Sequence, residues 1–244
     1  MTSGFYAACA GLMARTRALE LTAHNLANTS TSGYKAQRET FQSLIAGSAD
    51  ARLSPLNAAV NDFGVLGRSR LDLTQGSFEE TGNDLDLALD GQGFFAVQTP
   101  AGPRYTRAGQ MRLAADGTLT NAEGHAVIGE NGPVRLPRGK VSFSPEGLIS
   151  VDGALAARLK VVEFAPGTEI KAEGSMYVSA PEGTERKASG ATVRQGWLES
   201  SNVDPLGAAV GLITIQRQAE AMQRAMTMFH SEFNRIAAEE LPRV

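Results

Sequence analysis

The sequence predicts an α+β protein, in which an N-terminal and a C-terminal helix pair as a coiled-coil-like unit and a mainly antiparallel β domain is inserted between them. Apolar residues recur with helical spacing near both ends, and glycine and proline separate short alternating segments in the middle. The chain has 244 residues, of which 26 are glycine and only 6% are aromatic. This composition suits a body with many turns better than an all-helical core.

The first predicted helix carries a heptad seam, meaning an apolar stripe whose members alternate in steps of four and three residues. The charged residues Arg15, Arg17 and Glu20 lie off this stripe. Several members are small, which permits close approach of a second helix but leaves this helix too weakly apolar to be stable alone. The members are Phe5, Cys9, Leu12, Thr16, Leu19, Ala23 and Leu26.

The second predicted helix follows the segment "SNVDP" and ends before Pro242. Asp204 or Asn202 can cap its N-terminus, and Pro205 suits the first turn, where a missing N–H costs nothing. Its seam alternates over about four heptads, which is typical of a coiled coil rather than of an ordinary surface helix. The members are Ala208, Leu212, Ile215, Ala219, Met222, Met226, Phe229, Phe233 and Ile236.

Two arrangements of these helices are open from the residues alone. Both helices could pack on the β body of a monomer, or they could pair with each other and with copies from neighbouring molecules. The length of the seams and their small residues favour the second arrangement.

The middle of the chain reads as a series of short antiparallel strands joined by tight turns. Turns are predicted at Asp116–Gly117, at residues 145–147 and at Asp152–Gly153, where glycine supplies left-handed backbone conformations. The predicted domains are a discontinuous helical domain, an extended connector, and a β-rich domain that includes the return connector. Their boundaries are 1–36 with 200–244, 37–75, and 76–199.

Composition and charge exclude several classes of partner. The formal net charge is −3, and no basic patch or polybasic run is present, so neither nucleic acid nor an anionic membrane surface is expected to bind. No apolar run approaches the roughly 20 residues of a membrane-spanning helix, so no membrane insertion is expected.

The single cysteine, Cys9, rules out an intrachain disulfide framework and a multi-thiolate metal site. The first residues lack the pattern of a cleaved signal peptide.

Catalytic chemistry is also not expected. The three histidines stand in no recognisable constellation, and the segment "HSEFN" at His230 lacks the spacing of a zinc protease motif. No catalytic, cofactor-binding or metal-ligating residue is therefore predicted, and neither a cofactor nor a small-molecule substrate. A remote alternative is a secreted cell-wall hydrolase that uses some of the acids Glu79, Glu80 and Asp84.

The segments Asn25–Lys35, Leu85–Gly129 and Gly196–Pro205, taken in this order, resemble the flagellar basal-body rod and hook protein family. "NLANTSTSGYK" (Asn25–Lys35) resembles the N-terminal signature of that family, and the central segment Leu85–Gly129 resembles its "GxGFF", "YTRxGxF" and "DGxLxxxxGxxVxG" series. "GWLESSNVDP" (Gly196–Pro205) resembles the segment that begins the family's C-terminal helix. The chain departs from the family pattern at Met111, where an aromatic residue is usual. The short chain and "VIGENGPVRLP" are similar to the proximal rod type, with the distal rod type as the alternative.

The resemblance implies a structural protein of the bacterial flagellum. Such proteins are exported through the flagellar type III apparatus and assemble with themselves and with other rod subunits into a helical tube across the periplasm, which transmits torque. The resemblance implies that the tube is held by contacts between unlike faces whose rotation does not close into a ring, so an open helical filament results. The resemblance further implies that the isolated terminal helices order on assembly. A rod-associated adaptor that does not polymerise is an alternative.

The resemblance also marks two groups of site residues. We expect the N-terminal group to form a joint between the inner helix and the outer connector, and we hypothesise that Asn25 and Asn28 fix subunit register there. This joint comprises Asn25, Asn28, Thr31, Gly33, Tyr34 and Lys35. The C-terminal motif comprises Gly196, Leu198, Glu199, Ser201, Asn202 and Val203.

Overall fold

The computed structural model describes residues 2–40 and 68–240, and its contacts divide the chain into two compact units. The helical unit consists of Met1–Leu26, Gln37–Arg70 and Asp204–Val244. The β unit consists of Ala27–Ala36 and Leu71–Val203. As predicted, the structure has a helix near each end of the chain and a β region between them. The segment Ala27–Ala36 groups with the β unit because its hydrogen bonds go to residues there, as described below.

The helical unit contains helix α1 (Thr2–Ala27) and helix α2 (Pro205–Glu240). Asp204 caps α2, because its two carboxylate oxygens accept hydrogen bonds from the N–H groups of Leu206 and Gly207, each at 3.1 Å. Pro205 is the first helical residue, as its missing N–H allows. Pro242, predicted to end the helix, lies outside the described residues. No described helix combines the length and apolar character needed to cross a membrane.

Helices α1 and α2 approach each other through glycines. A Cβ atom added to Gly11 would lie 3.2 Å from Cε of Met222, and one added to Gly211 would lie 3.9 Å from Cγ2 of Thr22. As α1 runs forward from Gly11 to Thr22, its neighbour on α2 moves back from Met222 to Gly211. The two helices are therefore antiparallel. A two-stranded sheet follows α1, formed by β1 (Gln37–Thr40) and β2 (Arg68–Leu71).

The β unit is built from short strands. In chain order they are β3 (Phe78–Glu80), β4 (Leu87–Asp90), β5 (Phe94–Thr99), β6 (Gly102–Thr106), β7 (Met111–Leu113), β8 (Leu119–Asn121), β9 (Ala126–Gly129), β10 (Gly132–Pro133), β11 (Val141–Phe143), β12 (Leu148–Val151), β13 (Ala154–Arg158), β14 (Val161–Phe164), β15 (Lys171–Glu173), β16 (Tyr177–Ser179), β17 (Glu185–Lys187), β18 (Thr192–Gln195) and β19 (Trp197–Glu199).

These strands form one large sheet and three small ones. The large sheet has ten strands, and its main path runs β15-β16-β6-β5-β9-β8-β7, with β10, β14 and β17 attached. Strands β11, β12 and β13 form a three-stranded sheet, and β4–β18 and β3–β19 form two-stranded ribbons. All of these strand pairs in the β unit are antiparallel. The prediction of a mainly antiparallel β region is confirmed.

The predicted turns lie between consecutive antiparallel strands. Gly117, with φ of 83°, turns the chain between β7 and β8. Asp152 and Gly153, with φ of 50° and 83°, turn it between β12 and β13. Asp152 is the one described residue other than glycine with a positive φ, in keeping with the tolerance of aspartate for this conformation.

The β unit has a closed apolar core. Met111 is 2% exposed and belongs to its main cluster, so the residue that departs from the family pattern fills a buried position. Methionine suits such a place because its flexible side chain fills irregular gaps. The other members of this cluster are Leu87, Leu89, Phe95, Val97, Leu119, Val127, Val134, Leu136, Val141, Phe143, Ile149, Val151, Leu159 and Val193.

Candidate functional site

The predicted seam of α2 coincides with its half-buried side. The half-buried members are Ala208, Leu212, Ile215, Ala219, Met222 and Met226. Phe229, Phe233 and Ile236 belong to α2, but their side chains lie outside the described residues. The half-burial of these residues does not test whether the seam takes part in assembly, so that role stays a prediction.

The predicted seam of α1 is mixed in its burial. Cys9, Leu12, Leu19 and Leu26 are half-buried, whereas Thr16 and Ala23 are exposed. The side chain of Phe5 lies outside the described residues. Gly11, which is buried and is not a member of the predicted seam, lies against Met222 of α2. The sequence did indicate this contact through the glycine itself, because a residue without a side chain lets a neighbouring helix come close.

A second apolar stripe lies on α2, away from the half-buried positions. Leu206, Val210 and Ile213 are 76%, 57% and 53% exposed. Their spacing of four and three residues places them along one face of the helix. The first turns of α2 thus carry apolar residues on the half-buried side and on the exposed side. A helix that is apolar all round is normally covered on both sides.

Asn25 connects α1 to the start of β1 within the helical unit. Its side-chain amide donates to the carbonyl oxygen of Gln37 at 2.8 Å, and its Oδ1 accepts from the N–H of Gln37 at 2.9 Å. This pair of bonds imitates one rung of a β ladder. Within the single chain, Asn25 thus has at least these two bonds to Gln37, and the hypothesis that it fixes subunit register stays a prediction.

Two successive turns shape the joint after α1. The N–H of Thr31 donates to the carbonyl of Asn28, and the N–H of Tyr34 donates to the carbonyl of Thr31, each at 3.2 Å. The hydroxyl of Thr31 also donates to Oδ1 of Asn28 at 3.1 Å. Gly33 has φ of 71°, and a Cβ there would lie 2.2 Å from the backbone nitrogen of Ala108. Only glycine fits at this position.

Beyond Gly33 the joint runs into a buried cluster of charges in the β unit. Lys35 Nζ lies 2.5 Å from Oε1 of Glu199, and Arg107 Nη1 lies 3.0 Å from Oε2 of the same carboxylate. The Glu199 side chain is fully buried, and those of Lys35 and Arg107 are 4% and 5% exposed. We call Lys35, Arg107 and Glu199 the clasp.

The clasp also binds the main chain around it. The N–H of Gly76 donates to Oε1 of Glu199 at 2.9 Å, and Lys35 Nζ donates to the carbonyl of Thr74 at 2.7 Å. Arg107 donates to the carbonyls of Leu89 and Gly91 at 3.0 and 2.6 Å. These bonds compensate the cost of burying three charges, which would otherwise be large.

Burial governs the protonation of the two basic groups of the clasp. Desolvation lowers the pKa of the Lys35 ammonium below its ordinary value, and the adjacent Glu199 carboxylate acts in the opposite direction. Desolvation likewise lowers the pKa of the Arg107 guanidinium, again opposed by Glu199. Glu199 is thus the shared counterion of two buried bases.

Each member of the clasp comes from a different signature segment. Lys35 ends the N-terminal signature, Arg107 lies in "YTRAGQ" of the central segment, and Glu199 lies in the C-terminal motif. Lys35 and Glu199 were predicted site residues, whereas Arg107 was missed. Its signal was the arginine of the "YTRxGxF" motif in the central signature segment.

The remaining residues of the C-terminal motif hold the chain as it leaves the β unit. Gly196, with φ of 78°, donates its N–H to the carbonyl of Asp86 at 2.8 Å. Leu198 is buried, and the hydroxyl of Ser201 accepts from the N–H of Val203 at 3.3 Å. The most connected residue is Asn202. Its Oδ1 accepts from the N–H of Ala36 at 2.7 Å, and its Nδ2 donates to the carbonyls of Asp72 and Thr74 at 2.8 and 3.0 Å.

The acids proposed for a hydrolase do not form an evident active site. Glu79 and Glu80 are exposed neighbours on strand β3, so their side chains point to opposite faces of the ribbon. Asp84 is exposed in the following loop. Among the described residues, no group of three or more His, Cys, Asp or Glu side chains is placed to hold a metal ion.

Family models match three parts of the chain, in the same order as the three signature segments. The model described as "Flagella basal body rod protein" matches residues 5–35. "Flagellar hook protein FlgE/F/G D1 domain" matches residues 88–155, and "Flagellar basal body rod FlgEFG protein C-terminal" matches residues 194–237. The first and third matches cover most of the two helices, and the second lies in the β unit.

Whole-length relatives give the same result. The chain is 32% identical to the flagellar basal-body rod protein FlgF of Mesorhizobium japonicum over 90% of both chains. It is also 32% identical to the FlgF protein of Caulobacter vibrioides over 100% of both chains. The flagellar basal-body rod protein FlgG of Bacillus subtilis is 29% identical over 93% of this chain and 95% of that protein.

The matched regions and the inserted β unit define a structural protein of the bacterial flagellum. Because its identity to rod proteins extends over the whole length, the chain belongs to the flagellar basal-body rod protein family. The family predicted from the three signature segments is confirmed.

Proposed function

We propose that the chain is a structural subunit of the flagellar basal-body rod and polymerises into the helical drive shaft that crosses the periplasm and transmits torque. The full-length similarity to rod proteins named FlgF carries this proposal. The surface of α2 supports it, because the exposed stripe of Leu206, Val210 and Ile213 suits contact with neighbouring subunits.

The proposed position is the proximal rod, with the distal rod as the alternative. We take FlgF as the proximal type and FlgG as the distal type. Identity is 32% to the two FlgF relatives above and 29% to the FlgG relative, so similarity favours the proximal type. The proposed partners are further copies of this chain, other rod subunits, and the flagellar type III export apparatus. The proposed location is the periplasmic part of the basal body. No catalytic role is proposed.

The two helices are proposed to pair as a coiled-coil-like unit and to bury their seams against neighbouring subunits. The antiparallel approach at Gly11 and Met222 supports the pairing. The half-burial of Leu12, Ile215 and Met226 in the single chain supports the second part, because residues of this size are usually buried more completely.

The test places a charge on a seam and compares it with a charge beside the seam. Leu12→Asp and Met226→Glu should abolish motility and remove the chain from purified basal bodies, while the β unit keeps its thermal transition. Thr227→Glu, at an exposed position next to Met226, is the matched control and should leave swimming unchanged. Normal swimming of both seam variants would contradict the proposal.

The adaptor alternative is tested by counting copies. Basal bodies purified from cells that carry a fluorescently tagged chain should contain several copies per rod if the chain polymerises. One copy per basal body would favour an adaptor that docks without polymerising. A density map of the rod with this chain placed in it would also settle proximal against distal position.

A further inference from the structure

The chain passes between its two units at four places, and the β-unit ends of three passages share one hydrogen-bonded network. The passages lie after Leu26, after Ala36, before Leu71 and after Val203. We call residues 33–36, 72–76 and 199–202 the three exit segments. They lie beside the second, third and fourth passages.

Main-chain bonds and the side chain of Asn202 connect the exit segments to one another, in addition to the side chains of the clasp. The N–H of Asp72 donates to the carbonyl of Ala36 at 2.8 Å, and the N–H of Gly33 donates to the carbonyl of Glu199 at 2.7 Å. The side chain of Asn202 then reaches both of the other segments, through Ala36 on one side and Asp72 and Thr74 on the other. Each segment is thus bonded to the other two.

The clasp lies within the same network and connects it to the body of the β unit. Lys35 and Glu199 are themselves members of exit segments, and the Glu199 carboxylate also holds the N–H of Gly76. Arg107 belongs to none of the three segments. Its Nη1 donates to the Glu199 carboxylate and to the carbonyl of Leu89, and its Nη2 donates to the carbonyl of Gly91. Leu89 and Gly91 lie at the end of the buried strand β4.

We infer that the clasp makes the three exit segments and the β unit one rigid body, and that Arg107 is a positioning residue for this coupling. The inference rests on the proposed function, in which rotation must pass along the chain into the β unit. A single connecting segment can twist about its backbone torsions. Three segments bonded side by side, and fixed to the core through a planar guanidinium, resist such twisting.

A role in folding alone would involve the same residues, so the test must separate local coupling from global stability. Glu199→Gln keeps the shape of the side chain and removes its charge. The matched control is Glu173→Gln, which makes the same change at the ion pair with Arg104, where the glutamate side chain is 42% exposed. A second variant, Arg107→Lys, keeps the positive charge but loses the forked geometry that binds two carbonyls.

Amide hydrogen exchange on the purified chain gives the first measurement. The N–H of Gly76 bonds the Glu199 carboxylate directly, whereas those of Ala36 and Asp72 bond other acceptors in the network. If the clasp couples the segments, Glu199→Gln should speed exchange of all three amides about tenfold or more, the change that loss of a charged hydrogen bond brings. The N–H of Leu119, bonded to Val134 within the core, reports global unfolding and should therefore speed up less than the other three.

Two exchange patterns would overturn the inference. Acceleration confined to Gly76 would show that Glu199 acts only on its direct partner. Equal acceleration of Gly76 and Leu119 would show that the clasp contributes to global stability alone. Arg107→Lys should give the same pattern as Glu199→Gln, and Glu173→Gln should change none of the four amides.

Rotation of tethered cells gives the functional measurement. With Glu199→Gln or Arg107→Lys, basal bodies should form in normal number, and rotation should slow at least twofold in viscous medium relative to the Glu173→Gln control. Unchanged rotation under load would overturn the inference and leave the proposed function intact. Absence of the wild-type chain from purified rods would instead overturn the proposed function itself.

Discussion

The helical unit and the β unit use their apolar residues in opposite ways. The β unit encloses a cluster of large side chains, with Leu87, Phe95 and Ile149 exposed by no more than 1%. Among the helical-unit residues whose burial the structure describes, only Gly11 is buried, and the largest apolar residues of α2 include several that are more than half exposed. Both units contain apolar material, but only one of them covers it within the single chain.

This difference in apolar burial shows where each unit obtains its stability. Burial of apolar area is the main favourable contribution to folding, so the β unit has what it needs to fold independently. The long helices gain less from their own contacts, and helices depend on packing for most of their stability. We therefore expect the β unit to respond to substitutions in the isolated chain and the helical unit to respond mainly in the assembled rod.

The largest effect is expected from Gly109→Ala in the β unit. A Cβ at Gly109 would lie 1.5 Å from the carbonyl oxygen of Leu87, which no side-chain rotation can relieve. Because the backbone of Gly109 or of the buried strand β4 must move, we expect a loss of more than about 4 kcal/mol in unfolding free energy. Thermal and urea denaturation of the purified chain would measure it.

Gly190→Ala is the matched control for this prediction, since a Cβ at Gly190 meets nothing within 4 Å. The control should unfold with the wild-type midpoint. A Gly109→Ala protein with wild-type stability would show that the close packing of Gly109 against β4 does not constrain the fold.

The second largest effect is expected from Glu199→Ala. Removing the carboxylate leaves Lys35 and Arg107 buried without their counterion, and loss of one partner of a buried ion pair costs about 3–5 kcal/mol. Chemical denaturation would measure the change. Glu173→Ala breaks a more exposed ion pair and should cost at most about 1 kcal/mol. Equal effects of the two substitutions would contradict the importance of burial at the clasp.

A smaller effect on the stability of the β unit is expected from lowering the pH. Hydrogen bonds from Lys160 and Arg104 lower the pKa of the Glu185 and Glu173 carboxyl groups, respectively, below the ordinary value of 4.5. A carboxylate with a lowered folded-state pKa adds stability above its unfolded pKa, and this contribution is lost as the pH falls through the folded value.

The midpoint temperature of the β unit should therefore fall as the pH drops below about 4.5. Glu185→Gln should make this dependence shallower, because it removes one of the titrating groups. Thermal scans between neutral pH and pH 3 would measure both proteins. Identical pH dependence in the two proteins would exclude Glu185 as a contributor.

The smallest effect on the isolated chain is expected from Ile213→Glu in the helical unit. Ile213 is 53% exposed, so its replacement should change the unfolding free energy by no more than about 0.5 kcal/mol. The same substitution should greatly reduce incorporation into rods, because it places a charge on an apolar stripe. Gln218→Glu, at an exposed polar position of α2, should affect neither measurement. Normal rod incorporation of Ile213→Glu would limit the interface to the half-buried side of α2.

Local patterns in the sequence predicted the helices and turns well, because those features depend on neighbouring residues. The cap at Asp204 and the turns at Gly117 and Gly153 follow from short-range chemistry. The family itself followed from three segments with recognisable order.

Contacts between distant residues could not be predicted in the same way. Glu199 joins Lys35 and Arg107, which lie 164 and 92 residues away along the chain, and no local pattern pairs them. Likewise, the seam predicted for α1 omitted Gly11, because a seam is read from apolar side chains and glycine has none. The heptad pattern located the helix but not Gly11, one of the residues at which it meets α2.

The clasp also determines how parts of this molecule could be exchanged with those of a relative. A chimera that replaces only Leu71–Val203 would separate Lys35 from the Glu199 and Arg107 to which it is fitted. A chimera that also carries Ala27–Ala36 would transfer all three together. The exchangeable module is therefore discontinuous in sequence, and a ten-residue stretch that directly follows a helix travels with the distant β strands.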